Sequence, residues 1–143
     1  MLIIGVLSVA AVPQYTGMMH RYRIDAAAKR LKTDLKTVQT DAVTSSQTRS
    51  IVFEPAEVSY DIAESGQLRQ ERRVDLSAPP FHLTRMEVFS NDPDLEGELN
   101  EVEFSAYGYA DHKFSIRLEL GRESRLVTVE SRGTEANIIS VSE

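Results

Sequence analysis

The sequence contains no cysteine and no tryptophan among its 143 residues. The lack of cysteine excludes disulfide bonds, thiolate metal sites and cysteine nucleophiles, although it does not identify a cellular compartment. The three histidines are scattered, without the H-x-x-x-H or H-E-x-x-H spacing of metal sites. The sequence also has no G-x-S-x-G nucleophile motif and no phosphate-binding G-x-x-x-x-G-K-[ST] loop. We therefore expect no catalytic residues and no cofactor.

Positive charge is scarce outside the first third of the chain. Residues 1–48 carry six Lys/Arg and three Asp, whereas residues 49–143 carry ten basic and nineteen acidic side chains. Binding to phosphates needs clustered Lys/Arg, so the acidic second part is a poor nucleic-acid surface. The basic residues of the first part either form a solvated helix face or lie near anionic lipid headgroups. A hydrophobic content of 41% favours a packed core.

The first 12 residues carry no charge. As a helix this apolar run rises about 18 Å, less than the roughly 30 Å of hydrocarbon that about 20 apolar residues span. No basic segment precedes the run, and its end at Ala10-Ala11-Val12-Pro13 is a poor cleavage site, so a secretory signal peptide is not favoured. We expect either a buried core helix or the remaining part of a longer apolar helix.

An amphipathic helix is predicted for residues 14–46, continuous with the apolar run 1–12, and Pro13 is either a kink or a first-turn residue. Apolar residues recur there at spacings of three and four, which places them on one stripe that we expect to pack on the rest of the protein. The helix packing stripe consists of Ile24, Ala28, Leu31, Leu35, Val38 and Ala42. Two acid–base pairs with four-residue spacing are expected on the exposed side: Asp25–Lys29 and Arg30–Asp34.

After Arg49 the periodicity changes to that of strands. Short runs of apolar or alternating residues, together with one charged, extended-looking segment at 68–76 that suits an exposed edge strand, predict about seven or eight strands. The runs lie at 51–53, 58–62, 68–76, 81–89, 102–106, 114–120, 126–129 and 138–141. Strands at this spacing indicate an antiparallel sheet pair or sandwich. We therefore predict an α+β protein in which an N-terminal helix, residues 1–48, packs on an antiparallel β-sheet head, residues 49–143.

An acidic loop is predicted between residues 90 and 100. Four carboxylates alternate there with other residues, and hard oxygen ligands of this kind suit calcium. They are Asp92, Asp94, Glu96 and Glu98. The spacing lacks the full twelve-residue calcium-loop motif, so a solvated loop is preferred and no metal is expected. The aromatic pair in Tyr107-Gly108-Tyr109 forms either a ligand-stacking surface or a turn, and the turn is preferred.

An Ile-Ile-Gly sequence, followed by Ala-Val-Pro and a tyrosine, occurs in the run Ile3-Ile4-Gly5-Val6-Leu7-Ser8-Val9-Ala10-Ala11-Val12-Pro13-Gln14-Tyr15. This run resembles the second half of the N-terminal segment of type IV pilins and pseudopilins. The helix from Ala28 to Val43, the strand at 51–53 and the segments 102–108 and 127–133 are similar to the GspH/FimT-type minor pseudopilins. The resemblance therefore extends over most of the chain.

The resemblance implies a long N-terminal helix whose C-terminal half packs on a β-sheet head. It also implies a single-pass protein of the bacterial inner membrane, with a periplasmic head and prepilin-type N-terminal methylation, that is incorporated into a periplasmic fibre. The partners would be other pilin or pseudopilin subunits, the inner-membrane assembly platform, membrane lipid and secreted cargo. The membrane or fibre-core part of the helix would contain Ile3, Ile4, Gly5, Val6, Leu7, Val9, Val12 and Pro13.

The sequence departs from the family at its start. The family's basic leader, Gly-Phe cleavage point and early glutamate do not occur, and Met1 aligns inside the membrane helix. We therefore expect part of the family's N-terminal segment to be missing before Met1. The expected function is that of a structural minor pseudopilin in a type II secretion or type IV pilus system. The alternatives are a DNA-binding minor pilin used in DNA uptake, although the tail 136–143 has no basic residue, and a soluble β-sandwich binding module.

Overall fold

A computed structural model of the protein describes the backbone of residues 2–63, 72–95, 97–130 and 137–141, and the side chains of residues 15–63, 72–95 and 97–130. A long helix, α1 (Leu2–Ser45), opens the chain and is continuous through Pro13. It ends because Ser46 adopts a left-handed conformation with φ of 54°. The amides of Ser46 and Gln47 then donate to the carbonyls of Val43 and Ala42, which caps the last turn.

The described residues after the helix form eight strands. They are β1 (Arg49–Glu54), β2 (Ser59–Ala63), β3 (Arg72–Asp75), β4 (Arg85–Ser90), β5 (Glu101–Phe104), β6 (Phe114–Leu120), β7 (Glu123–Val129) and β8 (Asn137–Val141). A short 3₁₀ helix (Pro55–Glu57) joins β1 to β2. The predicted α+β fold, with one long N-terminal helix and antiparallel strands, is confirmed.

The strands form two four-stranded antiparallel sheets. Sheet A has the order β3-β2-β1-β5, and sheet B has the order β4-β6-β7-β8. The register places Ile51 between Ile62 and Val102 in sheet A, and Ile116 opposite Val127 in sheet B. Because side chains alternate between the faces of a strand, this register gives each sheet one apolar face.

The hydrophobic core lies between α1 and the apolar faces of both sheets. The helix contacts β1 and β5 of sheet A and β6 and β7 of sheet B. Phe53 of sheet A faces Phe114 of sheet B, with ring centroids 6.3 Å apart. All six residues of the helix packing stripe are buried in this core. Burial of one such large apolar side chain stabilises the fold by about 1.5–3 kcal/mol.

The strand expected at 81–89 begins only at Arg85. The chain turns before it, because the amides of Phe81 and His82 both donate to the carbonyl of Ala78. His82 also has a φ of 55°, which no strand residue adopts. The segment that looked extended in the sequence is therefore a turn that leads into the first strand of sheet B.

Two further strand predictions are longer than the strands observed. The run 102–106 is extended only to Phe104, since the amide of Ser105 donates to the carbonyl of Tyr109 and closes a turn. The run 68–76 corresponds to β3, which starts at Arg72. The remainder of that run lies among residues 64–71, outside the described residues.

Candidate functional surface

The outward face of α1 carries three large apolar side chains near the start of the described region. Tyr15, Met18 and Tyr22 are 67%, 71% and 73% exposed. Their spacing of three and four residues places them on one side of the helix. The side chains from 15 to 23 are exposed or half-buried, and burial under the head begins at Ile24. Contiguous exposed apolar side chains of this kind mark interaction surfaces.

The same outward face becomes polar further along the helix. It carries Lys29, Lys32 and Lys36, beside a row of threonines. The hydroxyls of Thr33, Thr37 and Thr40 donate to the helix carbonyls one turn earlier, at distances of 2.8–2.9 Å. Because these hydroxyls are satisfied within the helix, the threonines present mainly methyl groups to a partner. Between the rows lies a shallow groove of about 350 Å³.

Ion pairs attach α1 to strand β7 of the head. Arg125 Nε lies 2.6 Å from Asp25 Oδ1, and Arg21 Nε lies 2.9 Å from Glu123 Oε1. The hydrogen bond from Arg21 holds the pKa of the Glu123 carboxyl below its usual value. The expected Asp25–Lys29 pair is thus wrong, because Asp25 is drawn to a strand a hundred residues away.

A second polar contact lies inside the core. Asp34 is only 4% exposed, and its Oδ2 accepts hydrogen bonds from Tyr60 Oη at 2.6 Å and from Arg30 Nε at 2.9 Å. The Arg30–Asp34 pair therefore forms, but the expectation that it lies on the exposed side is wrong for Asp34. Burial raises the pKa of Tyr60, so this hydroxyl remains a donor. The position of Asp34 directly before the stripe residue Leu35 was the available sequence signal.

The turn between β5 and β6 packs against the end of the helix. Gly108 is buried with φ of 80°, and its carbonyl accepts a 2.7 Å hydrogen bond from Gln39 Nε2. The flanking Tyr107 and Tyr109 are exposed. The preferred interpretation of this segment as a turn agrees with this geometry.

The acidic loop follows β4. Its described carboxylates, Asp92, Asp94 and Glu98, are exposed or half-buried, and Asp92 Oδ2 lies 3.7 Å from Nδ1 of His112. Among the described residues, which do not include Glu96, no group of three or more His, Cys, Asp or Glu side chains is arranged to hold a metal ion. The loop carboxylates that the structure describes are therefore not gathered into a calcium site.

The residues expected in a membrane or fibre core, Ile3 to Pro13, belong to α1, but their side chains lie outside the described ones. No helix in the described part of the chain combines the length and the apolar character required to cross a membrane.

The fold of this chain is similar to that of two proteins with solved structures. The type IV minor pilin FimU of Pseudomonas aeruginosa matches with a TM-score of 0.57 and 15% identity, over 87% of this chain and 92% of that one. The minor pseudopilin EpsH of the Vibrio cholerae type 2 secretion system matches with a TM-score of 0.60 and 11% identity, over 82% and 97%. The fold is pilin-like.

A second crystal form of FimU gives the same result for the pilin-like fold, with a TM-score of 0.56 and 16% identity over 80% of this chain and 91% of that one. No family model and no curated protein sequence matches the chain. The pilin resemblance expected from the sequence is therefore confirmed at the level of the fold. The individual residues of the outward face have to be interpreted from their own chemistry.

Proposed function

We propose that this protein is a structural, non-catalytic subunit of a periplasmic fibre, either a type II secretion pseudopilus or a type IV pilus. The observation that carries the proposal is the outward apolar row formed by Tyr15, Met18 and Tyr22. The pilin-like fold supports it, because FimU is a minor pilin and EpsH is a minor pseudopilin. In a fibre, this row would lie against the helix of a neighbouring subunit.

Coverage by a neighbour would remove a substantial apolar surface from water. An aromatic side chain buries roughly 150–250 Å² when enclosed, and apolar burial contributes about 25 cal/mol per Å². The row extends over two turns of one helix face, which is the spacing that a partner helix requires for side-chain ridges to pack into grooves. The proposed contact is therefore helix against helix.

The proposal assigns different tasks to the two parts of α1. The apolar residues expected in the membrane, Ile3, Ile4, Gly5, Val6, Leu7, Val9 and Val12 with Pro13, would hold the subunit in the inner membrane and then pack in the fibre core. The buried stripe from Ile24 to Ala42 would hold the head on the helix. The head would lie in the periplasm, where it would meet other subunits and cargo, and the assembly platform would add the subunit to the fibre.

The apolar row can be tested by replacing Tyr15, Met18 and Tyr22 together with glutamine. We expect the variant to be lost from fibres isolated from the host bacterium, because the helix contact is removed. The thermal midpoint of the purified variant should stay close to that of the wild type, since none of the three side chains is buried. Immunoblotting of the isolated fibre fraction measures incorporation.

The matched control is Tyr107→Gln, which removes an aromatic side chain that is 82% exposed but lies on the head. We expect this control to enter fibres as the wild type does. Normal incorporation of the triple variant would contradict the proposed contact, as would equal loss of the control.

A further inference from the structure

Five of the six Lys and Arg residues of α1, all except Arg23, fall into two groups with different partners. Arg21 and Arg30 have carboxylate partners, on β7 and on the helix itself. Lys29, Lys32 and Lys36, called here the lysine row, lie on the outward face, and none has a carboxylate within ion-pair distance among the described residues. The helix therefore presents three lysines that form no ion pair with a described carboxylate, and Asp41 lies at the edge of the groove that Lys32 and Lys36 line.

An acidic surface of similar size lies on the outer face of sheet A. Val52 of β1 stands opposite Asp61 of β2 on one side and Glu101 of β5 on the other, and Glu103 follows on the same face of β5. Glu101 and Glu103 are exposed and have no ion-pair partner among the described residues. The Oδ1 atom of Asp61 is screened from solvent and has no hydrogen-bond partner there. These three carboxylates are called here the acidic sheet face; the cation opposite Asp61 on the same face, Arg73 of β3, forms ion pairs with Glu54 and Glu57, so the face remains acidic.

The lysine row and the acidic sheet face are similar in length and opposite in charge. Seven helix residues separate the ends of the lysine row, a rise of about 10 Å. Two strand spacings separate Asp61 from Glu101, also about 10 Å. Lys29 and Lys36 are exposed and Lys32 is half-buried on the helix, while the acidic sheet face lies on the side of sheet A opposite its buried residues. Contact between these surfaces therefore requires two molecules.

We propose that the lysine row of one copy docks on the acidic sheet face of a second copy of this chain. The contact uses a different surface on each partner, so it is heterologous and leaves one free surface of each kind at the ends of the pair. Repetition of such a contact builds a helical array rather than a closed dimer. The inference rests on the proposed fibre function and names a contact within that fibre.

An anionic membrane is a less suitable partner for the lysine row. The row begins 17 residues after Val12, the end of the apolar run, and ends 24 residues after it. Along a helix these separations are about 25 Å and about 36 Å, whereas the potential of a charged surface decays within about 10 Å at 0.1 M salt. A second protein molecule can contact the lysine row at any distance from a membrane surface.

The test uses the full chain in a mild non-ionic detergent and measures self-association by sedimentation velocity. One variant reverses the lysine row (Lys29→Glu, Lys32→Glu, Lys36→Glu), and the other reverses the acidic sheet face (Glu101→Lys, Glu103→Lys). Each variant alone should associate at least about tenfold more weakly than the wild type, because like charges then face each other. A mixture of the two variants should recover association, since each again offers a complementary partner.

The matched control reverses Arg85 and Arg122, two exposed positive charges on sheet B and its hairpin, and should associate as the wild type does. Raising the salt from about 50 mM to about 500 mM should weaken the wild type and the mixture alike. The contact is refuted by a wild type that remains monomeric at low salt, by reversed variants that still associate, or by a mixture that does not recover. Binding of the wild type to anionic vesicles or to duplex DNA, lost on reversal of the lysine row without any self-association, would instead assign the row to that ligand.

Failure of this inference is distinguishable from failure of the proposed function. The inference concerns charge reversal and association in solution, whereas the fibre proposal concerns the apolar row and incorporation in cells. If the lysine variant enters isolated fibres normally while the apolar-row variant does not, the fibre proposal stands and the docking contact is wrong.

Discussion

Tyr60 is fully buried, and its hydroxyl group forms a hydrogen bond inside the core. The hydroxyl donates a hydrogen bond to Oδ2 of Asp34, a nearly buried carboxylate. The same oxygen accepts a second hydrogen bond from the positively charged Arg30. A buried carboxylate that loses a partner keeps its desolvation penalty and loses part of the compensation. This one hydroxyl therefore links the middle of α1 to strand β2 inside an otherwise apolar core.

Replacing Tyr60 with phenylalanine should lower the free energy of unfolding by about 1.5–3 kcal/mol, as expected for a hydrogen bond to a charged group. Urea denaturation measures the change. Tyr107→Phe is the matched control and should have no effect, because that hydroxyl is on an exposed side chain. In a double-mutant cycle, Asp34→Asn should show coupling with Tyr60→Phe, and strictly additive changes would contradict the assigned bond.

Gly108 is constrained both by its backbone and by its neighbours. Its φ of 80° lies in the left-handed region, and a Cβ atom there would approach Cγ2 of Val43 to 2.8 Å. Gly108→Ala should therefore destabilise the protein by about 1–3 kcal/mol. Denaturant titration of Gly108→Ala together with Val43→Ala separates the two causes. Val43→Ala should recover only the part of the lost stability that is due to the steric clash. Full recovery of the free energy of unfolding would show that the backbone of the alanine variant is not strained.

At the scale of elements, α1 and β7 are joined by an ion-pair cluster whose members differ in burial. Arg125 has only 11% of its side chain exposed and contacts both Asp25 and Glu123, whereas Arg21 is 68% exposed. A charge held in a partly buried site contributes more than an exposed one, which is screened by solvent. Arg125 is therefore the member of this cluster that contributes most to the attachment of the helix to sheet B.

Arg125→Met should destabilise the fold by about 1–3 kcal/mol, because it removes charge-assisted hydrogen bonds and retains most of the side-chain volume. The control Arg21→Met, in the same cluster, should leave the thermal midpoint nearly unchanged. Calorimetry of both variants provides the comparison. Equal effects of the two substitutions would show that burial does not decide the strength of this attachment.

Periodicity in the sequence was sufficient to locate the elements, but it was not sufficient to locate their polar contacts. The spacing of apolar residues predicted the stripe from Ile24 to Ala42, which is buried as a local pattern would require. Asp25 offered Lys29 as a local partner and instead binds Arg125, since the fold brings the two together from opposite ends of the chain. The break after residue 76 was expected, but the next strand was placed four residues too early, because Phe81 and Leu83 alternate with polar residues as in a strand. The exposed row at Tyr15, Met18 and Tyr22 has the same helical spacing as a buried one, and only the position of the head distinguishes them.

At the scale of the whole molecule, sheets A and B have no strand in common and share one helix, and residues 99–100 link them by hydrogen bonds to Val88 of sheet B and Phe53 of sheet A. The chain passes between the sheets at β3–β4, β4–β5 and β5–β6, so neither sheet is formed from one continuous segment. Helix α1 contacts strands of both sheets, and the rings of Phe53 and Phe114 close the space between them. Loss of the helix would therefore expose the apolar faces of both sheets at once, and we expect the head and helix to unfold as one cooperative unit.

The same shared helix determines how the protein responds to mechanical load. A pull on the N-terminal end of α1 acts along the helix axis, parallel to the seam where the stripe meets the sheets. The Asp34–Tyr60 and Asp25–Arg125 bonds lie across this seam, together with the buried side chains from Ile24 to Ala42. Under such shear these contacts share the force and must rupture together, whereas a sideways pull would break them in sequence from one end. The attachment is thus strongest along the helix axis, which is the direction of load on a subunit of the fibre proposed above.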